Sequence, residues 1–198
     1  MIRSAAAALG VFTAISLGSA GSASASSWEL DASHSVLGFS VKHMMISNVH
    51  GRFDKATGTL ELDDKDVTKS SVKIEIETGS VNTNEPKRDG HLKSPDFFEA
   101  EKFPKMTFKS KSITKAGNNF KVVGDLTIKN VTKEVTLDVE LSAEAKDPWG
   151  NVKRGVTVSG KLNREDFGLT WNKALEAGGV LVGKDVSLTL DAEFNKKK

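Results

Sequence analysis

Apolar residues recur at every second position through most of this chain, and that period decides the fold class. Leu37, Phe39 and Val41 alternate with Gly38, Ser40 and Lys42, and Val72, Ile74 and Ile76 alternate with Lys73, Glu75 and Glu77. Met106 and Phe108 continue the rhythm, followed by Phe120, Val122, Gly124, Leu126 and Ile128. Val135, Leu137, Val139 and Leu141 come next, then Val156, Val158, Gly160 and Leu162, and finally Val186, Leu188, Leu190, Ala192 and Phe194. Successive side chains of a strand point to opposite faces, so this period marks strands with one apolar and one wet face. With the segment Val49 to Leu62 there are about eight strands, separated by turn residues such as Asp63-Asp64, Gly117-Asn118-Asn119 and Asp147-Pro148-Trp149-Gly150. The chain reads as all-β and antiparallel.

Such strands close into a barrel or pack as a two-sheet sandwich. Short sequential connections favour an up-and-down barrel. Eight strands enclose a space that side chains fill or that holds one small ligand. Gly124 and Gly160 fall on the inner face and leave room beside bulky neighbours.

The alternation stops between Thr83 and Phe108. This insertion holds three of the four prolines and sets Arg88, Asp89, His91 and Lys93 beside Leu92, Phe97, Phe98 and Phe103. Asn84 is placed to cap a short helix with Pro86 in its first turn, and Ser94 a further turn with Pro95. Aromatic bulk with polar groups at its edge suggests a lid, with Asp89 and Lys93 as a solvated i, i+4 pair as the plainer alternative. The pattern lapses again between Arg164 and Lys184, where Phe167, Leu169, Trp171, Leu175 and Val180 are set among glycines, which reads as a second flap.

Residues 1–25 read as a Sec-type signal peptide. Arg3 supplies a positive start, Ala5 to Leu17 is an uncharged apolar run, and Ala23-Ser24-Ala25 is a small-residue cleavage signal. The run falls short of the roughly 20 residues that span a bilayer, so no membrane span is expected. Residues 26–198 then form one domain, destined for the periplasm or secretion. With no cysteine, packing alone must hold that domain. A formal charge of +2 is too balanced for a nucleic-acid binder.

Catalytic and metal signatures are missing. His34 and His43 face opposite sides if the first strand runs unbroken, and no histidine pair stands at ligand spacing. Ser35 beside His34 and Ser94 near His91 lack a nucleophile elbow. Glu165-Asp166 reads as a turn, and no glycine-rich phosphate loop opens a helix. No enzyme activity, metal or obligatory cofactor is expected.

In order along the chain, Trp28-x-x-Asp31-x-x-His34-Ser35-x-x-x-Phe39-x-Val41-x-His43 is followed by Gly51-x-Phe53, Arg88-Asp89-Gly90-His91-Leu92 and Phe97-Phe98. Phe103-Pro104-x-Met106-Thr107-Phe108, Gly124-x-Leu126-Thr127-Ile128 with Val131-Thr132, and Arg164-x-Asp166-Phe167-Gly168 complete the series. From Trp28 to Phe194 the chain resembles the YceI-like, or polyisoprenoid-binding, family of secreted bacterial proteins. The resemblance implies an extended eight-stranded lipocalin-like barrel with a short helical insertion and an apolar tunnel. It also implies a bound isoprenoid, isoprenoid quinone or other long-chain lipid, no catalysis, and a possible homodimer.

Strand facing then nominates Phe39, Val41, Phe108, Leu126, Ile128, Leu137 and Val139 for the tunnel lining, with Phe97 covering it from the insertion. His43, Arg88 and His91 are the candidates for a polar head group, because arginine donates paired hydrogen bonds to phosphate or carboxylate. The alternative is a protein-interaction module of the cell envelope or stress response, its core filled by side chains.

Overall fold

The computed structural model describes residues 25–176 and 178–198. The leader and its cleavage signal lie outside the described residues, apart from Ala25, which opens the first strand. The strands are β1 (Ala25–His43), β2 (Ser47–Phe53), β3 (Ala56–Asp63), β4 (Ser71–Glu77), β5 (Val81–Asn82), β6 (Lys105–Ala116), β7 (Asn119–Ile128), β8 (Val131–Leu141), β9 (Ala145–Lys146), β10 (Val152–Asn163) and β11 (Val182–Lys196).

Eight of them close a ring in the order β1-β3-β4-β6-β7-β8-β10-β11 and back to β1, every pairing antiparallel. Neighbours in the ring are neighbours in sequence, so the fold is the expected up-and-down barrel with a short helix. One expected strand is two. Val49 to Leu62 breaks at Asp54-Lys55, where the backbone N–H groups turn to the Ser80 carbonyl and hydroxyl. The break lets β2 pair with β5 and β3 with β4.

The inward glycines act as spaces for neighbouring side chains. A Cβ on Gly124 would stand 2.5 Å from the Phe108 ring, and one on Gly160 would stand 2.6 Å from Leu137 Cδ2. Both bulky side chains therefore lie along the wall instead of filling the lumen.

The ring is uneven. β7 and β8 pair along most of their length, whereas β8 meets β10 only where Asp138–Leu141 faces Val156–Ser159. Beyond that, a short 3-10 turn at Arg164–Phe167 stands against β8, and Val131, Val135 and Leu162 pack on the cluster that contains Phe167 and Leu169.

The insertion carries α1 (Pro86–Lys93), whose cap is Glu85 and not Asn84. The Glu85 carboxylate accepts from the Lys87 and Arg88 amides, while Asn84 takes a left-handed backbone with φ of 60°. A longer carboxylate reaches the same orphan amides that a shorter capping side chain would satisfy. Ser94 closes α1 at its C-terminus and anchors the next turn.

Candidate functional site: an apolar cavity between two closed ends

The core is two clusters separated along the barrel. One contains Trp28, Leu30, Leu60, Leu62 and Phe194. The other gathers Phe53, Val81, Phe97, Met106, Ile128, Phe167 and Leu169, with Phe39, Leu92, Phe98 and Trp171 packed around it. Between and beside them runs a cavity of about 270 Å³. At roughly 30 Å³ per water in the liquid, it has room for on the order of nine water molecules. Water there would find almost no hydrogen-bond partner, because among the lining residues only Ser70 and Arg164 carry polar side chains. Leaving the space empty forgoes packing at about 24 cal/mol per Å³, on the order of 6 kcal/mol. That is comparable to the ~5–15 kcal/mol by which a domain is stable at all. A cavity of this size and dryness suits an apolar guest better than either alternative.

Phe39, Val41, Phe97, Phe108, Leu126, Ile128, Leu137 and Val139 all stand on the cavity wall. His43, Arg88 and His91 do not. Arg88 donates from Nε to the Thr83 hydroxyl at 2.7 Å and from Nη2 to the Thr83 carbonyl at 2.8 Å, and Asp89 accepts from the same residue's backbone and hydroxyl. Asp89 spends its carboxylate on the buried Thr83 at the base of α1, and among the described residues no ion pair joins it to Lys93. His91 bonds Asp96 at 2.8 Å and sets its ring edge-on to Phe97 and Trp171, 5.0 and 4.7 Å between centroids. It joins the insertion to the flap. His43 lies half-buried at the end of β1, where the register against β11 shifts after Val41.

Arg164 was missed as a site residue. It is 5% exposed, lines the cavity, and points its guanidinium at backbone carbonyls. Nε donates to Gly183 at 2.9 Å, Nη1 to Leu169 and Nη2 to Val182 at 3.4 Å. Burial lowers its pKa from the ordinary arginine value. The signal was available: positions 156, 158, 160 and 162 face inward, and 164 is next in phase.

One group of metal-ligand type exists among the described residues, Asp31, His34 and Glu193. Lys153 Nζ sits between the two carboxylates, 3.2 Å from Asp31 and 2.5 Å from Glu193, and fills the position a cation would take.

Comparison with known proteins agrees with this geometry. The UPF0312 protein SA2479 of Staphylococcus aureus is 46% identical over 166 residues, spanning 83% of this chain and 95% of that protein. The crystal structure of the Campylobacter jejuni YCEI protein matches at 35% identity and a TM-score of 0.67, covering 79% of this chain and 90% of that one. Two more distant structures share the fold. BcnA of Burkholderia cenocepacia matches with a TM-score of 0.73 at 21% identity, covering 83% and 98% of the two chains. A polyisoprenoid binding domain from Saccharophagus degradans matches with a TM-score of 0.61 at 18% identity, covering 86% and 98%. The YceI-like domain model spans residues 28–194. The chain belongs to the YceI-like family.

Proposed function

We propose that this protein binds and carries a long-chain amphiphilic lipid (an isoprenoid, an isoprenoid quinone, or a fatty acid or amide) in the barrel cavity, in the periplasm or after secretion. The observation that carries this reading is the cavity, whose lining is apolar apart from Ser70 and Arg164. Each CH₂ moved out of water contributes roughly 0.8 kcal/mol, so a five-carbon isoprene unit contributes about 3–4 kcal/mol before ordering costs. Immobilising a flexible chain offsets part of that gain.

Phe39, Val41, Phe97, Phe108, Leu126, Ile128, Leu137 and Val139 would contact the tail. Their contacts select for apolar character and length and only loosely for chemistry. The polar end would lie toward the insertion end of the barrel, where Arg164 is the charged group in the lining. The filled-core interaction module requires a barrel without this cavity and is the weaker reading.

Native mass spectrometry of the protein purified from its host, before and after organic extraction, tests the proposal. The expected result is a discrete extra mass that extraction removes, and its loss from a Val139→Asp variant that keeps native circular dichroism. A bare mass with no uptake of added polyprenol, quinone or fatty acid would overturn it.

A further inference from the structure

Two neighbouring loops at the insertion end break the rule that exposed turns are polar. The β1–β2 hairpin turns through Met44 and Met45, and Ile46 follows; these are 40%, 58% and 80% exposed. Beside them Val180, 37% exposed, is bridged to Ala174 at the base of the flap's turn, ahead of β11. The Met44 amide donates to the Leu181 carbonyl at 2.8 Å, which ties the two loops together. Both methionines hold left-handed backbone, with φ of 51° and 63°. The hairpin loop has three residues between the His43–Ser47 pair, and left-handed backbone is ordinarily left to glycine or asparagine, so local preference alone would have supplied a polar tip. Here two methionine side chains are exposed on backbone that disfavours them.

The charges around the tips are mostly basic. Lys42, Lys173 and Lys184 are exposed and flank the same loops. Lys42 lies against Gly183, and the Lys173 carbonyl accepts from the Leu181 amide. Among the described residues none of the three has a carboxylate within ion-pair distance. Of the nearby acids, Asp185 is paired with Lys161 at 3.0 Å, which leaves Glu176 as the opposing charge. Immediately behind the tips, Val41 and Val182 stand on the cavity wall.

We infer that this rim docks the protein on an anionic lipid bilayer, with Met44, Met45, Ile46 and Val180 entering the headgroup layer and Lys42, Lys173 and Lys184 meeting lipid phosphates. Apolar side chains at the front with lysines set back from them match the layering of a bilayer surface, where acyl chains lie beneath a negatively charged plane. Docking brings the cavity end at Val41 and Val182 against the acyl region, so a lipid enters or leaves without crossing bulk water. The purpose rests on the carrier reading, but the measurement does not: vesicle binding is read whether or not the cavity holds a guest.

The test is co-sedimentation of the protein with vesicles of phosphatidylglycerol mixed equally with phosphatidylcholine, and with phosphatidylcholine alone. The expected result is binding to the anionic vesicles that weakens in high salt. A Met45→Asp/Ile46→Asp double variant should lose about tenfold or more in affinity. Replacing Lys42, Lys173 and Lys184 by Gln should cost about fivefold per lysine, on anionic vesicles only. Parent and variants share the same N-terminus, so the differences report the rim. Trp149, 84% exposed on the loop between β9 and β10 at the opposite end, is the control, and Trp149→Ala should bind as the parent does. Equal binding by the tip variant, loss through Trp149→Ala, or no binding by the parent would each overturn the inference. So would concentration-dependent self-association in sedimentation velocity that the tip variant abolishes, since the rim would then be a contact between two copies.

Discussion

The two ends of the barrel are closed by different means. At the Trp28 end the strands themselves make the seal. Trp28 is fully buried, its indole donates to the Ser26 hydroxyl at 2.8 Å, and Arg154 and Lys196 lie over the ring, 5.6 and 5.2 Å from its centroid. Leu62 and Phe194, both from ring strands, pack against it. At the opposite end the closing groups come from segments between strands: Phe97 and Phe98 from the insertion, Phe167, Leu169 and Trp171 from the flap. His91 and Trp171 meet edge to face across those two segments, next to the place where β8 and β10 part. Loops of this kind open at lower free energy than a hydrogen-bonded wall. Under the proposed carrier function, rigidity would belong to the first end and ligand passage to the second.

The strongest way to break that assignment is a pair of truncations. Trp28→Ala empties a fully buried aromatic site and is expected to cost about 3–5 kcal/mol in urea unfolding. Trp171 is only half-buried, so Trp171→Ala is expected to cost clearly less and to speed the release of a bound lipid followed by dilution. Equal stability losses would erase the distinction between the ends, and faster release from Trp28→Ala alone would reverse their roles.

Arg164 sharpens the comparison at the passage end. Arg164→Met fills similar volume but strands the Gly183 and Leu169 carbonyls, at about 1–3 kcal/mol for a buried group left unpaired. Hydrogen exchange should rise across residues 168–183 and stay unchanged in β6 and β7. A uniform rise over the whole barrel would mean that Arg164 supports the wall and not the flap.

Gly160→Ala probes the lumen between the ends. The new methyl meets only the far end of the Leu137 side chain, so the expected stability change is below about 1 kcal/mol. Leu137 must swing inward, and lipid retention should fall. Unchanged retention would remove this stretch of wall from the ligand path.

What could be read from the sequence divides along the same line as the two ends. The wall was legible because strand phase is local: Phe39, Val41, Phe108, Leu126, Leu137 and Val139 were placed by counting in twos, and each lies on the cavity. The closures depend on contacts far apart in sequence, as when Trp28 packs with Phe194 or His91 meets Trp171, and no period announces those. Arg88 and His91 sit on a helix outside the strand phase, so their polarity was legible but their direction was not. His43 was in phase, yet the register shift after Val41 took it off the wall. Arg164 shows the converse, an inward phase that its charge disguised.

The smallest expected effect concerns acid and belongs to the sealed end. Asp31 is the last residue of β1 paired with β11 before the register shifts, and its carboxylate accepts from the Ser33 hydroxyl at 2.6 Å. His34 lies 3.0 Å away, and Lys153 and Asn195 approach from β10 and β11. The hydrogen bond from Ser33, then that with His34, hold the Asp31 carboxyl far below the usual carboxylate range; desolvation opposes them, and the weaker hydrogen bonds from Lys153 and Asn195 add to the lowering. In the unfolded chain the group titrates near ~4, so below that pH the unfolded state binds a proton that the folded state refuses. The stabilisation is therefore complete above about pH 5 and is lost progressively as pH falls through ~4 and below. Melting temperatures from neutral pH downward should show a steeper acid decline for the parent than for Asp31→Asn, whose amide cannot ionise. Parallel curves would place the acid sensitivity in other carboxylates. Asp54 is the next to examine, since its hydrogen bonds from Asn82 and Arg52 also lower its pKa, and it stands where β2 meets β5, beside the insertion.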